Sequence, residues 1–174
     1  MPQVTILRLN HRAHRDHRIS THCCLVSRAL GADQIVYTGQ QDKEMEATVH
    51  HVAEQWGGKF TVQHAKAHKE VIKEWKKKGF VVHLTMYGLP FHENMQRIPK
   101  NKDMLVIVGG EKVPGEVYQM ADLNLAVTNQ PHSEIAALGL FLDRYFSGKE
   151  LDKDFEKPKL KIVPQERGKK VDKR

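Results

Sequence analysis

Two apolar runs in the middle of the chain constrain its fold more than any other feature. Phe80 to Met86 and Met104 to Val108 consist mainly of Val, Leu, Ile and Met. A strand with one face in water alternates polar and apolar residues, whereas a strand buried on both faces does not. The two runs therefore predict the inner strands of a parallel sheet.

Helices and further strands are predicted to alternate around these two runs. The other predicted strands are Val4 to Leu9, Gln34 to Thr38, Phe60 to Gln63 and Leu123 to Val127. The predicted helices are Ser20 to Ala29, Asp42 to Trp56, Ala67 to Lys78, Glu116 to Met120 and Ser133 to Phe146. Tyr87 to Lys102 is expected to be a long loop. Such alternation predicts an α/β fold in which helices sandwich a mostly parallel sheet.

The length predicts one domain with a short extension. With 174 residues and 40% hydrophobic content, the chain can bury a single core. We expect that domain to span residues 1–150, and residues 151–174 to form a basic C-terminal extension. Leu160 to Pro164 and Lys169 to Val171 flank a turn at Glu166-Arg167-Gly168. This spacing predicts a β-hairpin, with a disordered tail as the alternative.

The charge predicts a polyanionic partner. The net charge is +7, and basic residues are concentrated between Arg8 and Arg28 and between Lys66 and Lys78. Nucleic acid is favoured over a membrane, because no apolar run reaches the roughly 20 residues that a spanning helix needs. Cys23 and Cys24 are adjacent in a predicted helix and are poorly placed to bridge each other. We therefore expect a reducing, cytoplasmic setting and no membrane association.

The densest cationic segment, Asn10 to Ile19, shows no apolar period and is expected to be a loop. Its arginines, Arg12, Arg15 and Arg18, can each grip a phosphate with two parallel hydrogen bonds. A solvated surface loop is the alternative. His11, His14 and His17 suggest a metal site only weakly, since no second ligand cluster accompanies them. No metal is expected.

Polar residues follow two of the predicted strands. Gly109-Gly110-Glu111 ends the run at Met104 to Val108, and Thr128-Asn129-Gln130-Pro131 ends the strand at Leu123 to Val127. Glycines let the main chain approach a ligand closely, and parallel strands deliver their ends to one edge. The pattern favours a small-molecule site, although glycine after a strand is also common in ordinary turns.

Three strings identify a resemblance: LRLNHRAHRDHRISTH, VIVGGEKVP and AVTNQPHSEIAALGLFLDR. They resemble SPOUT-superfamily RNA ribose 2′-O-methyltransferases, and within them the archaeal tRNA (cytidine-56-2′-O)-methyltransferases. The resemblance implies S-adenosylmethionine as cofactor, tRNA as substrate, a deep C-terminal trefoil knot and a homodimer. A 2′-O-methyltransferase for another RNA position and a noncatalytic basic RNA-binding module are the alternatives.

The resemblance also implies roles for individual residues. Arg28 falls on the family's catalytic arginine, although His22 stands where the family has asparagine, and Ser133 falls on the serine of the third motif. Arg18 is the second candidate for a catalytic or phosphate contact, and Arg97 is a candidate RNA contact beside Arg12 and Arg15. The proton of the ribose hydroxyl could pass to Asp16, to His22 or to the RNA itself. The implied cofactor-binding residues are Leu84, Gly109, Gly110, Glu111, Lys112, Val113, Val127, Thr128, Asn129, Gln130, Pro131, His132, Ser133 and Glu134.

Overall fold

The computed structural model describes residues 2–110 and 112–174, and in these ranges strands and helices alternate as expected. The strands are β1 Val4–His11, β2 Gln34–Gly39, β3 Thr61–His64, β4 Gly79–Pro90, β5 Asp103–Val108, β6 Leu123–Ala126, β7 Leu160–Ile162 and β8 Val171–Lys173. The helices are α1 Ala13–Ala29, α2 Lys43–Trp56, α3 His68–Lys78, α4 Phe91–Asn94, α5 Gly115–Met120 and α6 Glu134–Phe146. Short 3₁₀ turns follow at Met95–Arg97 and Lys149–Asp152.

Six strands form one parallel sheet, which confirms the predicted α/β class. Their order is β3-β2-β1-β5-β4-β6. Every pairing in this sheet is parallel, so the carboxyl ends of β1, β5, β4 and β6 lie at the same edge. The chain runs from β4 to β5 and then returns across β4 to β6. That order accommodates the knot implied by the resemblance, and the threading itself stays a prediction.

Both faces of the sheet are covered by apolar cores. One core joins α1, α2 and α6 to the sheet, with Leu138 and Phe141 fully buried. The other joins α3 and α5 through Ile72 and Val117. Cys23 and Cys24 are free and buried in the first core, as their positions predict. Within the described ranges, no helix is long and apolar enough to cross a membrane.

The prediction of a loop from Asn10 to Ile19 was wrong, because this basic segment forms the end of β1 and the start of α1. α1 begins at Ala13, with the Arg15 and Asp16 backbone amides bonded to the Arg12 carbonyl at 3.1 and 2.8 Å. The Asp16 carboxylate accepts from the backbone N–H of Arg12 at 3.0 Å. No apolar period was visible because the buried face of this helix carries Asp16 and Ser20 where hydrophobic residues usually stand.

The prediction of a loop from Tyr87 to Lys102 was also wrong over most of its length, since β4 continues to Pro90 and α4 and a 3₁₀ turn follow. Leu89 and Pro90 pair with Leu125 and Ala126 of β6 after an irregularity in the ladder. A Cβ atom at Gly88 would lie 2.7 Å from the backbone of Asn124, so glycine permits this close passage. Pairing with β6 is a long-range contact that local sequence did not reveal.

The C-terminal extension is a hairpin packed on the domain. β7 and β8 pair antiparallel, which confirms the predicted hairpin over the alternative of a disordered tail. The Gly58 amide donates to the Glu156 carbonyl at 2.9 Å, and a Cβ at Gly58 would lie 2.8 Å from the Phe155 ring. Residues 153–159 are therefore docked beside the end of α2. The domain boundary at residue 150 stays a prediction.

Candidate active site

A cavity of about 780 Å³ opens at the carboxyl edge of the sheet. Its walls come from the ends of β4 and β5, the segments around Gly109-Gly110 and Lys112-Val113, the loop before α6 and the first turns of α1. A Cβ at Gly109 would lie 2.1 Å from the Val113 side chain, so no larger residue fits there. The backbone of this segment consequently forms part of the cavity surface.

One wall of the cavity carries a buried cation, Arg8. This arginine is only 1% exposed, and its Nη2 lies 3.2 Å from the Glu134 carboxylate in the first turn of α6. Its Nη1 donates to the Leu9 carbonyl at 2.9 Å, while its Nε has no hydrogen-bond partner among the residues that the structure describes. The ion pair ties the end of β1 to the start of α6, and it places positive charge beside Gly110.

The start of α1 adds further charge to the same wall. Arg12 donates to the Asp16 carboxylate from Nε at 2.9 Å and from Nη2 at 3.1 Å. These hydrogen bonds hold the pKa of Asp16 below its usual value, so the carboxylate stays ionised despite its burial. Arg12, Arg15 and Asp16 all face the cavity.

The opposite part of the cavity is lined by uncharged polar groups. The His83 ring lies in β4, with its Nδ1 2.9 Å from the Asn124 side-chain oxygen and its ring edge-on to Tyr118 at 4.8 Å. The hydroxyls of Thr85 and Tyr118 are 3.2 Å apart. Burial lowers the pKa of His83, although its hydrogen bond to Asn124 acts in the other direction, so the ring is neutral.

A second cleft of about 530 Å³ adjoins the cavity. The two spaces share Arg12, Asp16, Gly110 and Lys112, and the second extends toward Gln40 at the end of β2. Two neighbouring spaces with a common charged wall can hold two reactants side by side, and such placement favours transfer of a group between them.

Comparison with known proteins identifies the family. The family of tRNA ribose 2′-O-methyltransferases, aTrm56, matches residues 56–172, which is more than half of the chain. The chain belongs to this family. The tRNA (cytidine(56)-2′-O)-methyltransferase of Thermococcus kodakarensis is 51% identical over 172 residues, covering 97% of this chain and 96% of that protein. The protein of the same name from Methanocaldococcus jannaschii is 55% identical over 171 residues, covering 97% and 95%.

Solved structures of low identity share the fold of this aTrm56 family member. The A. aeolicus TrmH/SpoU tRNA modifying enzyme matches with a TM-score of 0.62 at 16% identity, covering 87% of this chain and 78% of that one. The SpoU methyltransferase AviRb from Streptomyces viridochromogenes, solved in complex with AdoMet, matches with a TM-score of 0.57 at 12% identity, covering 85% and 59%. These matches establish a SpoU-like α/β fold.

The structure brings many of the predicted site residues of this family member to one cavity. Those on its walls are Leu84, Gly109, Gly110, Lys112, Val113, Pro131, His132, Glu134, Arg12 and Arg15. Glu111 lies outside the described residues. Val127, Thr128, Gln130 and Ser133 are not on the walls, and Ser133 caps α6 by accepting from the Ile135 amide at 3.2 Å. Asn129 is not on the walls either, but its side chain holds the end of β4 by donating to the Met86 and Gly88 carbonyls at 2.7 and 3.0 Å.

Three predicted arginines lie away from the cavity walls. Arg28 is at the far end of α1, where its Nη2 donates to the Gly57 carbonyl at 2.7 Å and its guanidinium stacks 4.5 Å from the Phe155 ring centroid. These contacts hold the C-terminal extension, and the catalytic role of Arg28 stays a prediction. Arg18 is exposed on α1, and Arg97 is exposed on the 3₁₀ turn after α4.

Sequence reasoning missed Arg8, His83, Thr85 and Tyr118. Arg8 is a charged residue within an otherwise apolar strand, and arginine is almost never fully buried unless it is paired. That signal was present in the sequence. Tyr118 lies on the short helix α5, and nothing in the local pattern predicts that this helix faces the end of β4.

Buried polar contacts fix α1 against the sheet. His11 lies between Ser20, 2.8 Å from its Nδ1, and Asp42, 3.1 Å from its Nε2. His17 is 2.8 Å from the same Asp42 oxygen, and Asp42 also caps α2 by accepting from the Met45 amide. Within residues 2–110 and 112–174, no three His, Cys, Asp or Glu side chains are grouped to hold a metal ion.

Acid should weaken the contribution of these Asp42 hydrogen bonds to the stability of the fold. Burial alone would raise the pKa of Asp42, but hydrogen bonds from Met45, His17 and His11 bring it down to about 2 from 3.8. A lowered folded-state pKa stabilises the protein above the unfolded value and is lost as pH falls through the folded value. At about 1.4 kcal/mol per pKa unit, we expect Asp42 to contribute about 2 kcal/mol at pH 5 and little at pH 2.

The test is denaturant unfolding of wild type and Asp42→Asn between pH 2 and pH 5. Asparagine retains an acceptor for the Met45 amide, so the α2 cap remains while the charge is removed. The difference in unfolding free energy should grow with pH across this window. A difference that is constant with pH would contradict the assignment of a depressed pKa to Asp42.

Proposed function

We propose that this chain transfers a methyl group from S-adenosylmethionine to the ribose 2′-hydroxyl of cytidine 56 in tRNA. The observation that carries the proposal is the charged cavity at the carboxyl edge of the sheet in a chain about half identical, along its length, to methyltransferases of that name. A noncatalytic RNA-binding module would not need a cavity of this size beside its basic surface. With tRNA as substrate, the proposed site of action is the cytoplasm.

The cavity fits the cofactor. Small-molecule sites usually enclose about 300 to 1,000 Å³ and combine apolar lining with a few polar groups. Here the glycine segment offers backbone at the cavity surface, and the buried Nε2 of His83 has no hydrogen-bond partner in residues 2–110 and 112–174. The proposed binding set remains Leu84, the described members of 109–113, and residues 127–134. When bound, S-adenosylmethionine supplies a methyl group on a sulfonium, which needs no metal to activate it.

The residues of this chain contribute mainly by positioning. A guanidinium stays protonated at neutral pH, so the arginines of α1 are poor bases and good phosphate ligands. Asp16 lies on the wall shared by the two spaces and is ionised. Its lowered pKa makes it a weak base, and we place it as a group that orients the ribose hydroxyl. Arg18 and Ser133 stay candidates for supporting roles, one at a phosphate and one as the α6 cap.

Transfer of labelled methyl to tRNA tests the reaction. An unmodified tRNA transcript should accept label from S-adenosylmethionine, and nuclease mapping should place it on the ribose of cytidine 56. A matched transcript that already carries 2′-O-methylcytidine at this position should accept none. Equal labelling of both transcripts would show that the methylated nucleotide is not cytidine 56. Labelling of neither would favour the noncatalytic binding module.

The tRNA is proposed to approach over the first turns of α1. Arg12 and Arg15 face the cavity, and Arg18 is exposed one turn further along the helix. Phosphate contacts from these side chains would release counterions, so binding should weaken steeply as salt rises. Arg97 is a further candidate contact.

Removal of one such contact should change the salt dependence. We expect Arg15→Ala to weaken tRNA binding several-fold and to reduce the slope of log K against log salt by about 1. Lys73→Ala on α3 is a matched control, since it removes an exposed cation from a helix on the opposite face of the sheet. Fluorescence anisotropy with labelled tRNA over a salt series measures the affinity and the salt slope of each variant. Identical slopes for Arg15→Ala and wild type would remove this arginine from the interface.

We also propose a homodimer that uses the outer face of α6. Leu138, Leu142 and Tyr145 are buried within the chain, so they are not available to a partner. Leu140 is 54% exposed on the same helix, and Ala136 is exposed one turn before it. An apolar side chain of this size in water gains free energy when a partner covers it.

Leu140→Glu should shift the protein toward monomer, because dimer formation would bury the new carboxylate. Leu151→Glu introduces the same charge at another exposed leucine, which is 66% exposed, and should leave the association unchanged. Sedimentation equilibrium at micromolar concentration measures the difference. A wild type that sediments as a monomer at this concentration would contradict the proposed dimer.

A further inference from the structure

We propose that the hairpin of the C-terminal extension is a second tRNA-binding surface, which holds the phosphate backbone at a distance from the cavity. The inference rests on the proposed function, since it takes the proposed tRNA substrate as the ligand. It assigns to residues 151–174 a share of the binding that the cavity and the first turns of α1 do not provide.

The C-terminal extension carries more than half of the net charge of the chain. Residues 151–174 contain nine Lys or Arg and five Asp or Glu, so they account for +4 of the net charge of +7. Part of this charge is neutralised next to the domain. The ion pairs of the extension are Lys59–Glu156, Lys159–Glu54 and Lys161–Asp154. All three lie in the first half of the extension.

The turn of the hairpin is cationic and fully accessible. Residues 164–174 are all exposed, and Glu166 is the one acidic residue between Val163 and Lys170. Within the described ranges, Arg167, Lys169 and Lys170 form no ion pair with a carboxylate. Phosphates can therefore be bound here, with release of their counterions, without first breaking an ion pair of the protein.

Backbone contacts hold these cations in place before any ligand binds. The Lys159 amide donates to the Gln55 carbonyl at 3.0 Å, which attaches β7 to the end of α2. The Arg174 amide donates to the Lys159 carbonyl at 2.8 Å, and the Val163 amide donates to the Lys170 carbonyl at 3.0 Å. A hairpin that is already ordered loses less conformational entropy when it binds a ligand.

The extension leaves the domain far from the cavity. Arg28 stacks on Phe155 where the extension packs, thirteen residues after Arg15 in the same helix. At a rise of 1.5 Å per residue, this separates the root of the extension from the first turns of α1 by about 20 Å. A folded tRNA is long enough to contact both places, whereas a single nucleotide is not.

One face of the hairpin combines apolar and cationic side chains. Ile162 and Val171 are cross-strand partners and are 60% and 48% exposed. Lys173 follows Val171 by two residues in β8, so it lies on the same face. A nucleic-acid backbone alternates sugar C–H groups with phosphates, and it can contact both kinds of side chain. This face therefore favours RNA as the occupant.

The first test removes two charges from the hairpin. Lys169→Ala/Lys170→Ala should bind tRNA several-fold more weakly and should reduce the slope of log K against log salt by about 2. Both side chains are exposed, and the Val163–Lys170 hydrogen bond uses the backbone, so the fold is retained. Because these charges lie far from the cavity, the KM for tRNA should rise while kcat is unchanged.

Lys66→Ala/Lys73→Ala is the matched control. It removes two exposed cations from α3 and the residues before it, and α3 packs on the other face of the sheet. Its salt slope, measured by fluorescence anisotropy with labelled tRNA, should equal that of wild type. A slope for Lys169→Ala/Lys170→Ala that also equals the wild-type slope would overturn the proposal.

A second test uses wild type alone, with acetylation of lysines followed by mass spectrometry. Added tRNA should slow the acetylation of Lys169 and Lys170 and leave that of Lys73 unchanged. Unchanged acetylation of Lys169 and Lys170 would overturn the proposal, and equal protection by poly-glutamate would assign the hairpin to an acidic protein instead. Binding is measured here without methyl transfer. Protection by tRNA in a protein that transfers no methyl group would therefore contradict the proposed function alone.

Discussion

Parallel pairing of β1, β5, β4 and β6 is the constraint on which the rest of the structure depends. Because all four strands point the same way, every segment that leaves a strand end starts at the same edge. The glycine segment after β5, the loop after β6 and the start of α1 meet there although they are separated along the chain. The Arg8–Glu134 ion pair then joins the centre of the sheet to α6 across the cavity wall.

The carboxyl edge of the sheet has two sides that differ in charge and therefore suit different parts of a ligand. Arg8, Arg12, Arg15 and Lys112 make one side cationic, and Asp16 and Glu134 balance part of that charge. The side near β4 and α5 is neutral and polar. A ligand with a carboxylate at one end and a neutral nucleoside at the other meets complementary surroundings in only one orientation. The same cationic side continues onto the exposed turns of α1, where a polyanion can be held.

Much of this arrangement could be predicted from the sequence, and the omissions have physical causes. Apolar runs such as Met104 to Val108 predict buried strands reliably, since only burial on both faces permits them. The start of α1 was missed because its buried face is polar. On that face Ser20 is hydrogen-bonded to His11, and Asp16 accepts from Arg12. The distance of Arg28 from the cavity could not be predicted, because a motif position does not specify which end of a 17-residue helix reaches the cavity.

The central claim is that the cavity at the carboxyl edge of the sheet is where the cofactor binds. A crystal structure of the protein with S-adenosylhomocysteine tests it most directly. The account predicts density within this cavity, in contact with the Gly109-Gly110 backbone and with the residues that precede α6. Density beside Arg28 and Phe155, where the C-terminal extension packs, or on the exposed surface of α1, would contradict it.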